Sequence, residues 1–215
     1  MKYNYRNGVG GLKKHSKIWI VFPILGILAG LYVLLNALSP AISTPFDTPS
    51  DTVAKKLTQQ QPQLDQNRLY IPQINVDVAV VTGPTDASLE LGAWHRKPEN
   101  GDPKNGGNFV LSAHRFNLGI LPSQTRAKSP FYHIDKLKEG DELYVDFEGV
   151  RYAYSVTRSY KVARTAIEIE QRTDENKMTL YSCDLRGEKA GREVVEAKPI
   201  GTVAWDENGP KLKSL

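Results

Sequence analysis

Three residues of this chain could together perform nucleophilic chemistry, namely Cys183, His114 and Arg192. A thiol becomes a strong nucleophile as the thiolate, an imidazole can exchange protons near neutral pH, and a guanidinium can hold a developing oxyanion. Cys183 and His114 each end an alternating stretch, and Arg192 opens another. Because strand ends can meet at one rim of a small barrel, we expect these side chains to lie together. Arg186 is a rival for the arginine role, but it does not open a strand.

Cys183 is the single cysteine among 215 residues. One cysteine excludes an intrachain disulfide and a cysteine-based zinc finger. The alternative to a nucleophile is a small buried hydrophobic residue, which is how a lone cysteine often behaves. Of the other histidines, we expect His95 to be a surface or substrate-rim residue in a loop and His133 to be structural. Neither has a second ligand at metal spacing, so zinc is not expected.

The elements that would position these residues are predicted to be strands. From Arg68 onward, apolar and polar residues alternate in short runs between turn signals, a pattern typical of half-buried strands. The runs lie at 76–80, 109–114, 143–147, 150–157, 178–183, 192–198 and 200–205. Glu148-Gly149 predicts a hairpin, and single helical turns are expected at 86–91 and 129–137. So many short strands in one domain indicate a closed or nearly closed antiparallel barrel, although alternation alone also fits a sandwich.

The positive charge of the chain is concentrated at its start. Residues 1–17 hold five of the 28 Lys and Arg residues and no acid, whereas the remaining 198 residues hold 23 bases and 24 acids. A nucleic-acid-binding surface is therefore not expected. Residues 18–38 contain no charge, and as a helix they would span about 31 Å, enough to cross a bilayer. The basic flank predicts a cytoplasmic N-terminus and an extracellular remainder in the cell membrane.

A cleaved signal peptide is the alternative to this anchor, but its apolar region is normally shorter, about 7–15 residues. Pro, Ser, Thr and Gln dominate the stretch that follows, which predicts an extended or disordered linker with a helical turn near 53–57. The predicted organisation is a cytoplasmic tail at 1–17, a transmembrane anchor at 18–38, an extracellular linker at 39–66, a catalytic domain at 67–205 and a C-terminal tail at 206–215.

Four stretches of the chain, in this order, resemble motifs of the sortase family. They are Arg68-Leu-Tyr-Ile-Pro-Gln-Ile-Asn-Val-Asp77 with Gly83, Gly107-Asn-Phe-Val-Leu-Ser-Ala-His114-Arg115, Phe131-Tyr-His-Ile-Asp-Lys-Leu-Lys-Glu-Gly140-Asp141, and Thr179-Leu-Tyr-Ser-Cys183 followed nine positions later by Arg192. Each stretch alone is a weak signal, but together, in family order and spacing, they are specific. The resemblance covers about residues 67–205.

The resemblance implies a mostly β fold, a closed eight-stranded sortase-type barrel with short helices, on the outer face of a bacterial membrane. It implies a cysteine transpeptidase that cuts a Leu-Pro-x-Thr-Gly-like sorting signal between Thr and Gly. The new carboxyl end is then joined to an amine of a cell-wall precursor or to a pilin lysine. By motif position, Cys183 is the nucleophile, His114 the general acid/base and Arg192 the oxyanion or substrate holder. No cofactor is expected, apart from a calcium ion that some sortases bind.

Further residues receive roles from the resemblance. Substrate contacts are assigned by family position to Ser182, Val162, Ala163 and Ala113. Residues 162–169 are expected to form one wall of the substrate groove. The acids that stand where some sortases bind calcium are Glu168, Glu170 and Asp174. A solvated charged loop is the alternative for them, because no regular ligand spacing is visible.

The chain also departs from the family pattern. Ser182 stands where the family usually has Thr, and Asp184 puts an acid beside the thiol, which would disfavour the thiolate and make a cationic His114 or Arg192 more important. We find no second apolar segment in 206–215 and no Asp-Pro-aromatic lid motif in 40–66. These two absences favour a housekeeping or class D/E-like enzyme over a pilus-polymerising one.

Other functions stay open from the sequence. One alternative is a pilin-polymerising sortase. Another is a non-catalytic anchored β-barrel module that binds a partner, with Cys183 inert. A cysteine hydrolase would differ only in that water, instead of an amine, resolves the acyl-enzyme. The binding module is less favoured because it has no need for Cys, His and Arg at these strand ends.

Overall fold

The computed structural model describes residues 18–42, 51–207 and 209–214. The chain divides into two compact units, Met1–Leu35 and Asn36–Leu215. Helix α1 spans Ile18–Ile42, so its last turns belong to the second unit. Its residues Val21–Ile42 are long and apolar enough to cross a membrane, with a mean hydropathy of 2.2. The tail predicted at 1–17 lies outside the described residues.

The second unit is built around a ring of eight strands. The unit contains ten strands, of which all but β4 and β10 form the ring: β1 (Arg68–Ile71), β2 (Val76–Val81), β3 (Ala93–His95), β4 (Gly101–Asp102), β5 (Gly106–Ser112), β6 (Glu142–Phe147), β7 (Val150–Val162), β8 (Lys177–Cys183), β9 (Arg192–Asp206) and β10 (Gly209–Ser214). Hydrogen bonding follows the order β9-β7-β6-β1-β2-β3-β5-β8 and returns from β8 to β9, which closes the ring. The predicted mostly β fold is confirmed, with β4 and β10 added at the edges of β5 and β9.

Short helices connect these strands. Helix α2 spans Asp51–Gln59, and helix α3 spans Pro122–Ala127. Single 3-10 turns lie at Pro72–Ile74, Asp86–Glu90, Pro98–Asn100, Ile134–Lys136, Ile167–Glu170 and Glu188–Ala190. The turns at Asp86–Glu90 and Ile134–Lys136 fall where single helical turns were predicted, whereas α3 was not anticipated.

Two of the eight ring contacts are parallel, so the expectation of an antiparallel barrel is wrong in this respect. β2 pairs with β3, and β5 pairs with β8, in the parallel sense. Alternation reveals which side chains face the core, but it carries no information about the direction of a strand. Parallel neighbours need a crossover connection, and the chain between β5 and β8 is long enough to provide one.

Alternate side chains of the strands fill the interior of the ring. Phe109 and Leu111 of β5 meet Met178 and Leu180 of β8, and Val195 of β9 completes this part of the core. The residues between them point outward, which is the pattern that the sequence alternation predicts. The same parity decides which side chains can share the outer face of these three strands.

The hairpin predicted between β6 and β7 is confirmed. Glu148 and Gly149 both have positive φ angles, 47° and 79°. Two such residues in succession are the requirement of a tight type I′ hairpin turn, whose twist matches that of the flanking strands.

The segment predicted as an extended linker contains α2, which packs on the ring. Val53 and Leu57 are buried against Tyr70 of β1. The buried Arg151 donates to Asp146 through Nε at 2.6 Å and Nη2 at 2.8 Å, and through Nη1 to the carbonyl oxygen of Leu57 at 2.6 Å. A buried guanidinium needs such partners. The predicted helical turn is therefore confirmed, within a longer helix that is tied to the strand ring.

Most of the residues assigned to a C-terminal tail form β10. They pair with β9 in antiparallel register, from Gly209 opposite Asp206 to Ser214 opposite Gly201. This strand is polar and largely exposed, so its backbone pairing leaves little trace in the sequence pattern.

Glu196 forms a charged cluster on the outer side of β9. Its carboxylate accepts hydrogen bonds from Arg158 Nε at 2.7 Å, Tyr160 Oη at 2.9 Å and Lys177 Nζ at 2.9 Å. Burial by itself would raise the pKa of Glu196, but these hydrogen bonds outweigh it and lower the pKa from 4.5 to about 2. Glu196 is thus a strongly ionised group of the folded state.

Candidate active site

Cys183 and His114 lie at the same end of two neighbouring parallel strands. Ser112 of β5 is opposite Tyr181 of β8, an offset of 69 positions that holds along the ladder. The backbone N–H of Ala113 donates to the carbonyl oxygen of Tyr181 at 3.4 Å, which continues the pairing past the end of β5. The same offset sets His114 beside Cys183. Because paired strands are about 4.8 Å apart, the backbones of these two residues are neighbours at this edge of the sheet.

Arg192 flanks the cysteine on the other side. It opens β9, and its Cα is the antiparallel partner of Cys183. Cys183 is exposed, and it stands between His114, two residues past the end of β5, and Arg192, which opens β9. The structure brings together the three residues that the sequence indicated.

The guanidinium of Arg192 is held by an aromatic ring and a carboxylate. Its Cζ lies 4.8 Å from the ring centroid of Tyr181, and its Nη1 lies 3.7 Å from Glu170 Oε1. Glu170 is buried, accepts a hydrogen bond from the hydroxyl of Tyr181, and pairs with Arg96 Nε at 2.6 Å. Burial, and then the hydrogen bond to Glu170, raise the pKa of Tyr181, so this hydroxyl stays protonated. Arg192 is thereby positioned beside the thiol.

An apolar cluster lines the outer face next to these residues. Val110, Ile169, Tyr181 and Val194 pack together outside the ring, with Val162 and Tyr160 against them. By strand parity, His114 shares the face of Val110, Cys183 that of Tyr181, and Arg192 that of Val194. The thiol is thus displayed beside an apolar surface, an arrangement suited to an extended peptide with apolar side chains.

Glu90 is a partner of His114 that the sequence reasoning missed. Its Oε1 lies 3.1 Å from His114 Nε2 and accepts a hydrogen bond from Asn117 at 2.7 Å, while Oε2 lies 3.2 Å from Lys128 Nζ. The hydrogen bond from Lys128, and then that from His114, lower the pKa of Glu90. A carboxylate in this position holds the orientation of the imidazole ring. No sequence signal marks it, because Glu90 ends a 3-10 turn 24 residues before the histidine.

The acid beside the thiol is neutralised by its own cations. Asp184 accepts hydrogen bonds from Arg186 Nε at 3.0 Å and Nη2 at 3.1 Å, and Lys161 Nζ lies 3.4 Å away. The hydrogen bonds from the side chain and backbone of Arg186, and then that from Lys161, hold the pKa of Asp184 well below its usual range. Arg186, the alternative candidate for holding the oxyanion, has its guanidinium bound to Asp184. The negative charge next to Cys183 is therefore compensated locally.

The four residues predicted to contact substrate fall into two pairs. Ala113 and Ser182 are buried, Ala113 within the main core, and Ser182 Oγ donates to the carbonyl oxygen of Cys183 at 3.3 Å. Val162 ends β7 opposite Arg192 and borders the apolar cluster, and Ala163 is exposed just after it. Val162 and Ala163 thus lie where side chains can meet a ligand, whereas Ala113 and Ser182 support the strand ends.

The acids predicted as possible calcium ligands do not converge. Glu170 faces Arg96 and Arg192, whereas Glu168 and Asp174 are exposed. Within residues 18–42, 51–207 and 209–214, no group of three or more His, Cys, Asp or Glu side chains could hold a metal ion. Calcium binding stays a prediction from the resemblance.

Of the remaining histidines, His95 and His133 are buried, and His15 lies outside the described residues. His95 lies on β3, with Nε2 2.9 Å from the carbonyl oxygen of Gly101 and its ring edge-on to Phe109. The expectation of a surface position is therefore wrong for His95, because a strand of three residues leaves no visible alternation. Burial lowers the pKa of His95, so this ring is neutral. His133 is structural, as expected, with Nε2 2.9 Å from the carbonyl oxygen of Pro40.

Comparison with known proteins agrees with this geometry. A family model described as the sortase domain matches residues 69–200, which is more than half of the chain. The chain therefore belongs to the sortase family.

Individual relatives are distant. Sortase A of Bacillus anthracis is 28% identical over 138 residues, which are 64% of this chain and 60% of that protein. Sortase A of Listeria monocytogenes is 28% identical over 125 residues, 58% of this chain and 51% of that protein. The chain thus matches little more than half of the length of these relatives.

The fold is shared with solved sortase structures. Sortase C1 of Streptococcus agalactiae has a TM-score of 0.54 at 24% identity, over 89% of this chain and 95% of that one. Because relatives named sortase A and sortase C1 both match, the comparisons do not separate the subclasses, and the class D/E-like assignment stays a prediction.

Proposed function

We propose that this protein is a membrane-anchored cysteine transpeptidase that cleaves a Leu-Pro-x-Thr-Gly-like sorting signal between Thr and Gly. The observation that carries the proposal is the register of β5, β8 and β9, in which Cys183 has His114 on one side and Arg192 on the other. Membership of the sortase family supports the same reaction class.

In the first half-reaction, the thiolate of Cys183 attacks the carbonyl carbon of the Thr residue. A C–S bond forms, and the carbonyl oxygen becomes an oxyanion that Arg192 stabilises. Collapse of this intermediate breaks the Thr–Gly C–N bond, and the imidazolium of His114 gives its proton to the departing Gly amine. The surface protein is left as a thioester on Cys183.

In the second half-reaction, an amine attacks the thioester. His114 now takes the proton of the attacking amine, the C–S bond breaks, and the thiolate of Cys183 is restored. We assign this amine to a cell-wall precursor, with a pilin lysine as the alternative acceptor. Glu90 holds the orientation of the ring in both half-reactions, because its carboxylate faces His114 Nε2.

The substrate groove is assigned to the outer face around the apolar cluster. Val162 and Ala163 flank Arg192 at the end of β7, so they are suited to contact the residues that precede the scissile bond. Ser182 and Ala113 take part through the backbone that they fix, since both side chains are buried.

Anchoring is assigned to α1. Its apolar length supports a single membrane crossing, and the five basic residues among positions 1–17 favour a cytoplasmic N-terminus. The catalytic domain would then face the outside of the cell, where sorting-signal proteins and cell-wall precursors meet.

The full chain in detergent micelles can test the proposal. A panel of quenched Leu-Pro-x-Thr-Gly-type peptides is incubated with and without an added amine, and the protein mass is measured for a thioester adduct. We expect cleavage, an amine-dependent ligation product and a trapped adduct, all lost in Cys183→Ala. Full activity in His114→Ala would overturn its acid/base role.

The same assay separates the alternatives. Cleavage that gives the hydrolysed peptide alone, at every amine concentration, would assign a cysteine hydrolase. Peptide binding with neither adduct nor cleavage across the panel would assign a binding module.

A further inference from the structure

The loop that follows His114 displays four large apolar side chains to solvent. We call residues Phe116–Leu121 the apolar loop, and its exposed members are Phe116, Leu118, Ile120 and Leu121. Ile120 is the most open of them, at 78% exposure. Clustered apolar exposure of this kind usually marks a surface that another phase or molecule covers.

The apolar loop is hydrogen-bonded to the last turns of α1. Asn36 Nδ2 donates to the carbonyl oxygens of Gly119 at 2.8 Å and Ile120 at 2.9 Å, and Thr125 Oγ1 donates to Asn36 Oδ1. One turn further, Ser39 Oγ donates to the carbonyl oxygen of Pro122 at 3.0 Å. Residues 36–42 belong to the same compact unit as the strand ring, so these contacts fix the loop against the helix end.

Asn36 sets the depth of the loop relative to a bilayer. It lies within the apolar segment Val21–Ile42, six residues before the end, or about 9 Å along a helix axis. An amide at that depth is costly unless its polar atoms are paired, and here the loop carbonyls and Thr125 pair both of them. The loop therefore lies at the level of Asn36, in the last turns of α1.

The residues around the apolar loop also suit a position at the membrane interface. Leu38 and Ile42, on the same part of α1, are also exposed, so the helix end and the loop present apolar side chains together. Arg126 of α3 is exposed just beyond the loop, and basic side chains at this position favour anionic headgroups.

We propose that the apolar loop lies in the outer-leaflet interface of the bilayer that holds α1, with Leu118, Ile120 and Leu121 inserted among the lipids. The proposal rests on the anchoring role given to α1 above. It has a consequence for the reaction, since His114 lies only two residues before the loop. The active site is then held at the membrane surface, within reach of a lipid-linked acceptor amine, and does not stand away from it on an extended tether.

Site-specific fluorescence in proteoliposomes tests the proposal. The full chain carrying Cys183→Ala receives a single cysteine by Ile120→Cys, is labelled with the polarity-sensitive dye NBD, and is reconstituted in phosphatidylethanolamine–phosphatidylglycerol vesicles with or without doxyl-labelled lipid. The matched control is Leu64→Cys in the same background, because Leu64 is 81% exposed in the same unit. We expect a blue-shifted emission at position 120 and at least twofold stronger quenching by doxyl lipid than at position 64.

The experiment distinguishes failure of the loop proposal from failure of α1 to anchor the chain in the membrane. If the chain floats with the vesicles but the label at 120 is quenched no more than the label at 64, the loop proposal is overturned while the anchor stands. Failure of the chain to float overturns the anchor itself. Shielding at 120 that requires sorting peptide, or that grows with the protein-to-lipid ratio, would assign the loop to substrate or to a second copy and overturn the membrane assignment.

Discussion

Replacing Arg192 by alanine should separate turnover from stability. The guanidinium is adjacent to Cys183 by strand register and is fixed by the ring of Tyr181 at 4.8 Å and by Glu170 at 3.7 Å. Loss of one preorganised donor to an oxyanion typically lowers kcat by about 10²–10³-fold, or roughly 3–4 kcal/mol. We expect Arg192→Ala to lose at least ~10²-fold in peptide cleavage.

The cost to folding should be much smaller. The contact with Tyr181 contributes about 0.5–1 kcal/mol, and the partly exposed ion pair adds less than about 1 kcal/mol. Glu170 keeps its closer partner, Arg96 Nε at 2.6 Å, so no buried charge is left alone. A thermal shift assay in detergent should therefore find Arg192→Ala only a few degrees less stable than the wild type.

Two companion variants sharpen this test. Arg192→Lys keeps the charge but loses the planar fork and its stacking, so its rate should lie between those of wild type and Arg192→Ala. Arg186→Ala removes the rival arginine, whose side chain is held by Asp184. The reasoning is refuted if Arg186→Ala loses ~10²-fold while Arg192→Ala keeps a near-normal rate.

Three further changes probe other parts of the structure. Glu90→Gln removes the carboxylate that faces His114 Nε2, so turnover should fall about fivefold, or ~1 kcal/mol. The control is Lys128→Ala, which removes only another partner of Glu90 and should cleave peptide at nearly the wild-type rate. Glu196 has a pKa of about 2 in the folded state against an ordinary 4.5, so the stability it contributes is present above about pH 4.5 and is lost toward pH 2. The thermal denaturation midpoint, measured between pH 4.5 and pH 2, should therefore fall less steeply with decreasing pH in Glu196→Gln than in the wild type. Val53→Ala should cost about 2 kcal/mol in urea unfolding, and an unchanged midpoint would contradict the packing of α2.

The three central site residues could be predicted because each ends or opens an alternating stretch. Alternation identifies the faces of β5, β8 and β9, and the nine-residue spacing from Cys183 to Arg192 fits a return to the neighbouring strand. Glu90 could not be predicted, because its contact with His114 depends on where a short turn packs and not on any local period. The same holds for Glu170, an acid in a charged segment that becomes buried beneath two arginines.

Elements with few apolar residues were the hardest to predict. The only apolar pattern that indicates α2 is the pair Val53 and Leu57, which lie four positions apart on one face, and most of the remaining sequence is polar. β10 pairs through its backbone and buries little, and β3 is too short to alternate. In each case tertiary pairing decides the structure, and local pattern does not.

The parallel pairing of β5 with β8 explains both the site and the walls around it. In an antiparallel pair, the end of one strand meets the start of the other, so His114 and Cys183 would lie at opposite edges of the ring. The parallel arrangement brings both ends to one edge, but it requires a crossover. That crossover contains the apolar loop, the end of β7 with Val162, and the turn that carries Glu170. The connection that makes the pairing possible therefore also contains the proposed groove wall, the carboxylate that holds Arg192 and the loop that we propose to face the membrane.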